Sequence, residues 1–358
     1  MAFLEHLLSI TKFNDSYENI DIRIPISITI CTDEFDNFLE NNNLYEKLNP
    51  DLSDEEIVKF FTRSTLNKRL KSKLKAWLSN FKMPIAVRSS SLLEDSQFQP
   101  FAGVYKTFML PNNPKHNEKV RLRQLCKAIK LVYASMFLSF PRHYLENVAT
   151  HIEQEKMGVV IQEIIGQKHG IHYYPDISGV TQSYNYYPFG RMEPEDGIAY
   201  IALGLGKIIV DGQNSFQFCP SYPEIQPQMS DIHQFLNLSQ NFFYSLNLDA
   251  DLDLDYAEDT NLLKNDLSTA EEHGILFKIG SVYDVESDVI RDGLSWNGPR
   301  VITFASILKY KIFPLAKIIQ DLLRLGEKAF GNPVEIEFAV NLKTQDKIAS
   351  FYLLQIRP

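Results

Sequence analysis

Two carboxylates at alternate positions of an otherwise apolar run constrain this chain more than any other feature. The run is Val334-Glu335-Ile336-Glu337-Phe338-Ala339-Val340, and its partner is Phe351-Tyr352-Leu353-Leu354-Gln355-Ile356-Arg357-Pro358. Successive side chains of a strand point to opposite faces. Glu335, Glu337 and Ala339 therefore share one face, and Ile336, Phe338 and Val340 the other. The stretch from Asn341 to Ser350 is polar and turn-forming, which predicts a hairpin. On the second strand Gln355 and Arg357 share a face. If the two polar faces turn the same way, two carboxylates, an amide and a guanidinium converge on one side of a buried sheet. Such a set is costly unless it is paired, metal-bound or bound to ligand. A cross-strand salt-bridge ladder and a site for a hard cation such as Mg²⁺, arriving with phosphates, both fit the pattern.

The rest of the chain is long enough to build a framework around this hairpin. It has 358 residues, 44% apolar and 23% charged, which is ordinary for a soluble globular protein of two or three structural units. A net charge of −9 argues against a broad nucleic-acid surface. No run of about 18 apolar residues occurs, so no membrane span is expected. Cys31, Cys126 and Cys219 are far apart and odd in number, with no CxxC pair. That usage fits a reducing, cytoplasmic compartment. The start, Met1-Ala2-Phe3-Leu4-Glu5-His6, lacks a basic leader and a cleavage site.

Patterning predicts helices over 2–10, from Asp33 on, over 54–81, 120–140 and 144–154, and most clearly over 313–330. The last begins around Pro314 and stops at Gly331-Asn332-Pro333. Extended runs are predicted over 20–32, 84–87, 104–110, 157–165 and 178–187. Pro25 inside the first suits a strand start or an edge.

Several motifs fail their tests. The Asp249, Asp251, Asp253, Asp255 series resembles a calcium loop, but its sixth position is Leu254 and its twelfth Thr260. A strand with an acidic outer face is the better reading. Gly204-Leu205-Gly206-Lys207 is followed by Ile208 instead of Ser or Thr, and Ile209 replaces a third glycine. A tight turn is expected there. His151, His169 and His172 form no HExxH and read as surface or structural. Arg88 is more informative. It follows a short apolar strand and precedes Ser89, Ser90 and Ser91. A guanidinium binds phosphate bidentately and hydroxyls add donors. Gly103 follows in a second glycine-bearing turn, suited to close backbone approach to a ligand. The competing reading has the serines capping a helix and Arg88 pairing with a carboxylate.

At these residues the chain resembles a known family. Ile85-Ala86-Val87-Arg88-Ser89-Ser90-Ser91, with Glu94-Asp95 and Phe101-Ala102-Gly103, is similar to the "AVRSS…ED…FAG" signature of the pyruvate phosphate dikinase and phosphoenolpyruvate synthase family. Glu335-Ile336-Glu337 with Leu354-Gln355-Ile356-Arg357-Pro358 resembles the "DIE…LQxRP" ending of that family's N-terminal nucleotide-binding domain, with a longer first acid. Ile22 to Leu39, Gln162 to Ile165 and Ile177 to Val180 resemble further ordered segments of the same domain, so the likeness covers nearly the whole chain.

The resemblance implies an α+β, ATP-grasp-like fold of two lobes around a nucleotide cleft, with lobes at 1–156 and 157–358. It implies ATP and Mg²⁺ as cofactors. Arg88 would hold the phosphates and Gly103 would close the turn over them. Gln162, Glu163 and Ile165 would meet the adenine. Glu337 and Gln355 would bind Mg²⁺, Glu335 would assist, and Arg357 would contact the transferring phosphates, so that Arg88 and Arg357 are the catalytic pair. Gly204 to Lys207 would be a loop near the site. Phosphate would pass to a histidine on a separate domain and then to an acceptor such as pyruvate. No "GGxxxHAA" motif occurs in this chain, and it begins after the family's "GGK" turn. It is therefore expected to be an excised domain whose partners are ATP and the histidine and acceptor domains of the full-length protein. A non-catalytic regulatory module, a dikinase with another acceptor and a scaffold with a purely structural ladder are the alternatives.

Overall fold

Pro25 divides the extended run that begins at Ile20. Ile20–Arg23 pairs in parallel with Ala349–Arg357, whereas Ser27–Ile30 pairs antiparallel with Met157–Glu163. Proline has no N–H to give a ladder, so one β-branched run becomes two strands in two sheets. The computed structural model describes residues 2–11, 13–49, 51–91, 103–147, 155–250 and 257–358. Two compact units emerge. One holds 25–164 and 246–262, and the other 1–24, 165–245 and 263–358. These units differ from the expected lobes 1–156 and 157–358 in three stretches, 1–24, 157–164 and 246–262. Met157–Glu163 is laddered to Ser27–Ile30 on one side and to Ile85–Ser91 on the other, and those hydrogen bonds keep it in the first unit.

That unit is built on a four-stranded antiparallel sheet, ordered Ser27–Ile30, Met157–Glu163, Ile85–Ser91, Thr107–Leu110. Its core is aromatic, as 24 phenylalanines suggest. Phe35 meets Tyr133 edge-on at 5.0 Å and Phe61 meets Phe137 at 5.4 Å between ring centroids. Helix Glu118–Ser135 lies in this core and buries Arg121, which is 3% exposed. Arg121 donates to Asn112 Oδ1 at 2.8 Å and to the Leu78 and Phe81 carbonyls at 3.0 and 2.5 Å, so a buried cation closes the end of a neighbouring helix. The helix expected over 54–81 is two helices, Asp54–Arg63 and Lys68–Asn80. Asn67 starts the second by accepting from the Arg69 N–H at 2.8 Å, and Lys130 Nζ donates to the exposed carbonyls of Thr62 and Ser64.

The other unit holds a six-stranded sheet, ordered Ile20–Arg23, Ala349–Arg357, Glu335–Asn341, Ile177–Gln182, Ile198–Ala202, Phe216–Phe218. Helix Leu315–Phe330 packs against one face and ends at Gly331 in the left-handed region, φ 74°. The approach is close. A Cβ on Gly326 would lie 2.7 Å from Ile356 Cδ1. Phe338 and Phe351 stack at 5.1 Å, and Gly179 makes room for Phe338, since a Cβ there would lie 2.2 Å from its Cζ. A four-stranded sheet (Leu262–Asp266, Phe242–Asn247, His172–Tyr174, Gln167–His169) and a three-stranded one (Val289–Asp292, Gly280–Asp284, Arg300–Ile302) complete the unit. Among the described residues no helix is long and apolar enough to cross a membrane.

Candidate functional site

The predicted hairpin forms, and its register brings the four polar side chains together in pairs. Glu335 lies opposite Arg357 and Glu337 opposite Gln355. The register then shifts between Glu337 and Phe338, so that Phe338 faces Leu353 and Leu354 is the extra residue of a bulge. Strict alternation would place Phe351, Leu353, Gln355 and Arg357 on one face. The bulge at Leu354 separates them: Phe351 and Leu353 go to the core, at 0% and 1% exposure, and Gln355 and Arg357 join the glutamates. Helix Leu315–Phe330 covers the Ile336 face, and the glutamate face is half-buried.

Neighbouring strands extend this face. Val180 lies opposite Glu337, Tyr200 opposite Val180, and Gln182 opposite Glu335. Gln182 and Tyr200 were not picked out from the sequence, although the period-2 pattern of the run starting at Ser178 places Val180 and Gln182 together. Burial pushes the Tyr200 phenol upward in pKa. The Glu335 carboxylate is held from both sides. Arg357 Nε donates to Oε1 at 2.8 Å, with Nη2 on the same oxygen, and Gln182 Nε2 donates to Oε2 at 2.7 Å. Glu335 therefore acts as the rung of a ladder that fixes the Arg357 guanidinium.

The second pair offers different chemistry. Glu337 supplies a carboxylate and Gln355 an amide oxygen on adjacent strands. Among the described residues no group of three or more His, Cys, Asp or Glu could hold a metal ion. Two oxygen donors suit a cation that completes its shell with phosphate oxygens and water, as Mg²⁺ does. The donor set fits that ion when it arrives with a ligand.

In the other unit, Arg88 sits inside strand Ile85–Ser91, opposite Thr107 on one side and Val160 on the other. Ser89, Ser90 and Ser91 all belong to the strand, which runs through Ser91. Ser89 and Ser91 are buried, at 7% and 5%, while Ser90 shares a face with Arg88. Gln162, 5% exposed, lies on that face two positions along. Glu163 Oε2 accepts weakly from the Ile26 N–H at 3.4 Å. The division between the two units runs through the Gln162–Ile165 segment, between Ile164 and Ile165. Gly103 has φ 78°, the left-handed backbone expected of a glycine turn. Residues 92–102, with Glu94, Asp95 and most of the turn, lie outside the described residues, as do Asp251 to Asp255 and His151. Arg88, Gly103, Gln162 and Glu163 thus stand on one unit, and Ile165, Glu335, Glu337, Gln355 and Arg357 on the other.

Gly204 makes a left-handed turn, φ 86°, against the Tyr244 carbonyl. Lys207 pairs with Asp211 at 3.0 Å four residues on, so its charge is already partnered. His169 and His172 are joined by His273, which no local spacing announces. His169 stacks on His273 at 4.7 Å, and Tyr174 Oη lies 2.7 Å from His273 Nδ1. Burial, then the charges of His273, Lys278 and His172, bring the His169 imidazole down to about 4.

Residues 7–358 match the sequence family described as pyruvate phosphate dikinase, AMP/ATP-binding domain. A curated relative, "Uncharacterized phosphotransferase YvkC" of Bacillus subtilis (strain 168), is 29% identical over 194 residues, 53% of this chain. That match covers 20% of the relative, so the chain spans about a fifth of the length of the curated protein it resembles.

Proposed function

Because this chain belongs to the family of the pyruvate phosphate dikinase AMP/ATP-binding domain, with its ATP-grasp-like α+β fold, we propose that it binds Mg-ATP as the nucleotide domain of a dikinase-type phosphotransferase. The observation that carries this reading is the paired set Glu335–Arg357 and Glu337–Gln355, gathered on one sheet face by the bulge at Leu354.

The roles follow from the chemistry of the groups. Arg357, held in place by Glu335, donates to phosphate oxygens. Arg88 supplies a guanidinium fork suited to phosphate. Glu337 and Gln355 hold Mg²⁺, which neutralises charge on the phosphates when bound. Gln162, Glu163 and Ile165 contact the adenine, and Gly103 lets the backbone approach the phosphates. Catalysis of this kind is positioning plus electrostatic stabilisation, and no side chain of this chain serves as a covalent nucleophile. The phosphoryl group passes to a histidine on another domain of the full-length protein and from there to an acceptor.

Calorimetric titration with ATP, with and without Mg²⁺, tests the reading. Saturable binding that weakens by at least about tenfold in Arg88→Ala and in Glu337→Gln is expected, the loss of a charged hydrogen bond being about 1.5–3 kcal/mol. Absence of ATP binding by the folded protein would sink it. The transfer step is tested in the full-length protein, where incubation with ATP should leave an acid-labile phosphohistidine outside residues 1–358.

A further inference from the structure

A cavity of about 340 Å³ opens beside the turn that follows Gly204, and none of the paired carboxylates, amide and arginine described above lines it. Its size falls in the range of small-molecule sites. Ile208, Gln213, Asn214, Gln240, Phe242 and Lys264 line it. One wall is rigid. The buried Gln240 amide accepts from the Leu203 N–H at 2.9 Å and donates to the carbonyls of Leu203 and Phe242, each at 2.9 Å. Three bonds satisfy that amide and pin the end of strand Ile198–Ala202 to the start of Phe242–Asn247.

Among the described residues, one buried group in the cavity lacks the partner its chemistry calls for, and an exposed lysine of the lining stands without an ion pair. Gln213 Oε1 is buried and has no hydrogen-bond partner among the described residues. Its backbone does not share the lack, since the Gln213 N–H donates to the Ile208 carbonyl at 2.9 Å. A buried acceptor without a donor is costly. Lys264 Nζ lies 3.7 Å from the centre of the Phe242 ring, and among the described residues it has no ion-pair partner. The ring orients the ammonium and leaves its hydrogens available. A ligand that satisfies both groups must offer an anion to Lys264 and a hydroxyl or similar donor to Gln213 Oε1. Asn214, which donates a long bond of 3.5 Å to the Asn237 carbonyl, adds an amide of the kind that reads hydroxyl groups.

We propose that the cavity between Gln213 and Lys264 is a binding site for a small anionic polyol, the anion on Lys264 and a hydroxyl on Gln213. The site is separate from the paired glutamate and arginine residues, and it stands whether or not those bind nucleotide. Phosphate and carboxylate are both anions that Lys264 accepts, so the probes are glycerol 3-phosphate and glycerate, with glycerol and inorganic phosphate as partial ligands.

The test is titration of the whole chain by calorimetry, with thermal melts to confirm folding of each variant. Saturation by at least one of the two anionic polyols is expected, with glycerol and inorganic phosphate each weaker by about tenfold or more. Lys264→Met and Gln213→Leu should each weaken binding by at least about fivefold, while Lys264→Arg retains it. Arg357→Ala should leave it unchanged. No saturation by either probe at about 10 mM would overturn the proposal. So would equal affinity in Lys264→Met, glycerol binding as tightly as its phosphate, or loss of binding in a folded Arg357→Ala.

Discussion

Replacing Asp176 by asparagine should change how stability depends on pH. Asp176 is fully buried, at 0% exposure. Its Oδ2 accepts from the Leu342 N–H at 2.6 Å and from Gln167 Nε2 at 3.3 Å, and lies 3.8 Å from Lys278 Nζ; among the described residues its Oδ1 has no hydrogen-bond partner. Burial pushes the carboxyl from 3.8 up to about 6, although Lys278 and the Leu342 N–H pull the other way. At about 1.4 kcal/mol per unit, that shift corresponds to about 3 kcal/mol. The folded pKa lies above the unfolded one. The contribution is therefore fully present below about pH 3.8 and lost as pH rises through about 6. His169 works in the opposite direction. Its imidazole falls from 6.5 to about 4, so its contribution is present above pH 6.5 and lost as pH falls. Partial exposure screens that group, and its effect is smaller. In the native protein the two slopes oppose each other. In Asp176→Asn the carboxyl slope is gone and the histidine slope remains unopposed by it. Urea unfolding between about pH 4 and pH 7 should show the variant losing stability as pH falls, relative to the native protein, by about 3 kcal/mol across the window. Parallel pH profiles for the two proteins would refute the reasoning.

Other perturbations test the packing and the paired residues. Gly179→Val drives a side chain into the Phe338 ring, 2.2 Å from the Cβ position, and should cost at least about 2 kcal/mol in urea unfolding. Arg121→Met leaves Asn112 and the Leu78 and Phe81 carbonyls without their donor and should cost about 3 kcal/mol by the same measurement. Glu335→Gln and Arg357→Lys should be non-additive in ATP affinity, by about 0.5 kcal/mol or more in a double-mutant cycle, because one holds the other. Chelating Mg²⁺ should lower ATP affinity about tenfold or more, and calorimetry in the chelator would show it.

Much of the candidate site was legible because strand alternation is a local rule. The pairing of acids with Gln355 and Arg357 followed from period 2 and a turn-forming interval, and helix 313–330 from its apolar stripe and its Pro and Gly ends. Placing Arg88 at the end of an apolar run was likewise local, though the serines after it read equally well as a cap. The ladder with Met157–Glu163 decided for strand, because backbone groups two elements away were there to pair with. The break at Ser64–Asn67 was harder to see. No proline or glycine interrupts the run, and the helix ends where Asn67 and Lys130 take over its terminal backbone groups.

What the sequence alone determined, then, was the chemistry available on each strand: two carboxylates, an amide and a guanidinium near the end, and a guanidinium at residue 88. Side-chain alternation and composition are properties of the covalent chain and survive any packing. Only the tertiary structure decided how those groups were used. The bulge at Leu354 exists because Leu353 must fill the core beside Phe338 while Gln355 and Arg357 face the glutamates. The division of labour between Glu335 and Glu337 depends on Gln182 and Arg357 reaching one of them from flanking strands. His273 joins His169 and His172, and Gln213 comes to share a cavity with Lys264, through contacts that no sequence spacing encodes. Those choices rest on burial and hydrogen-bond satisfaction, which are settled only when distant segments meet.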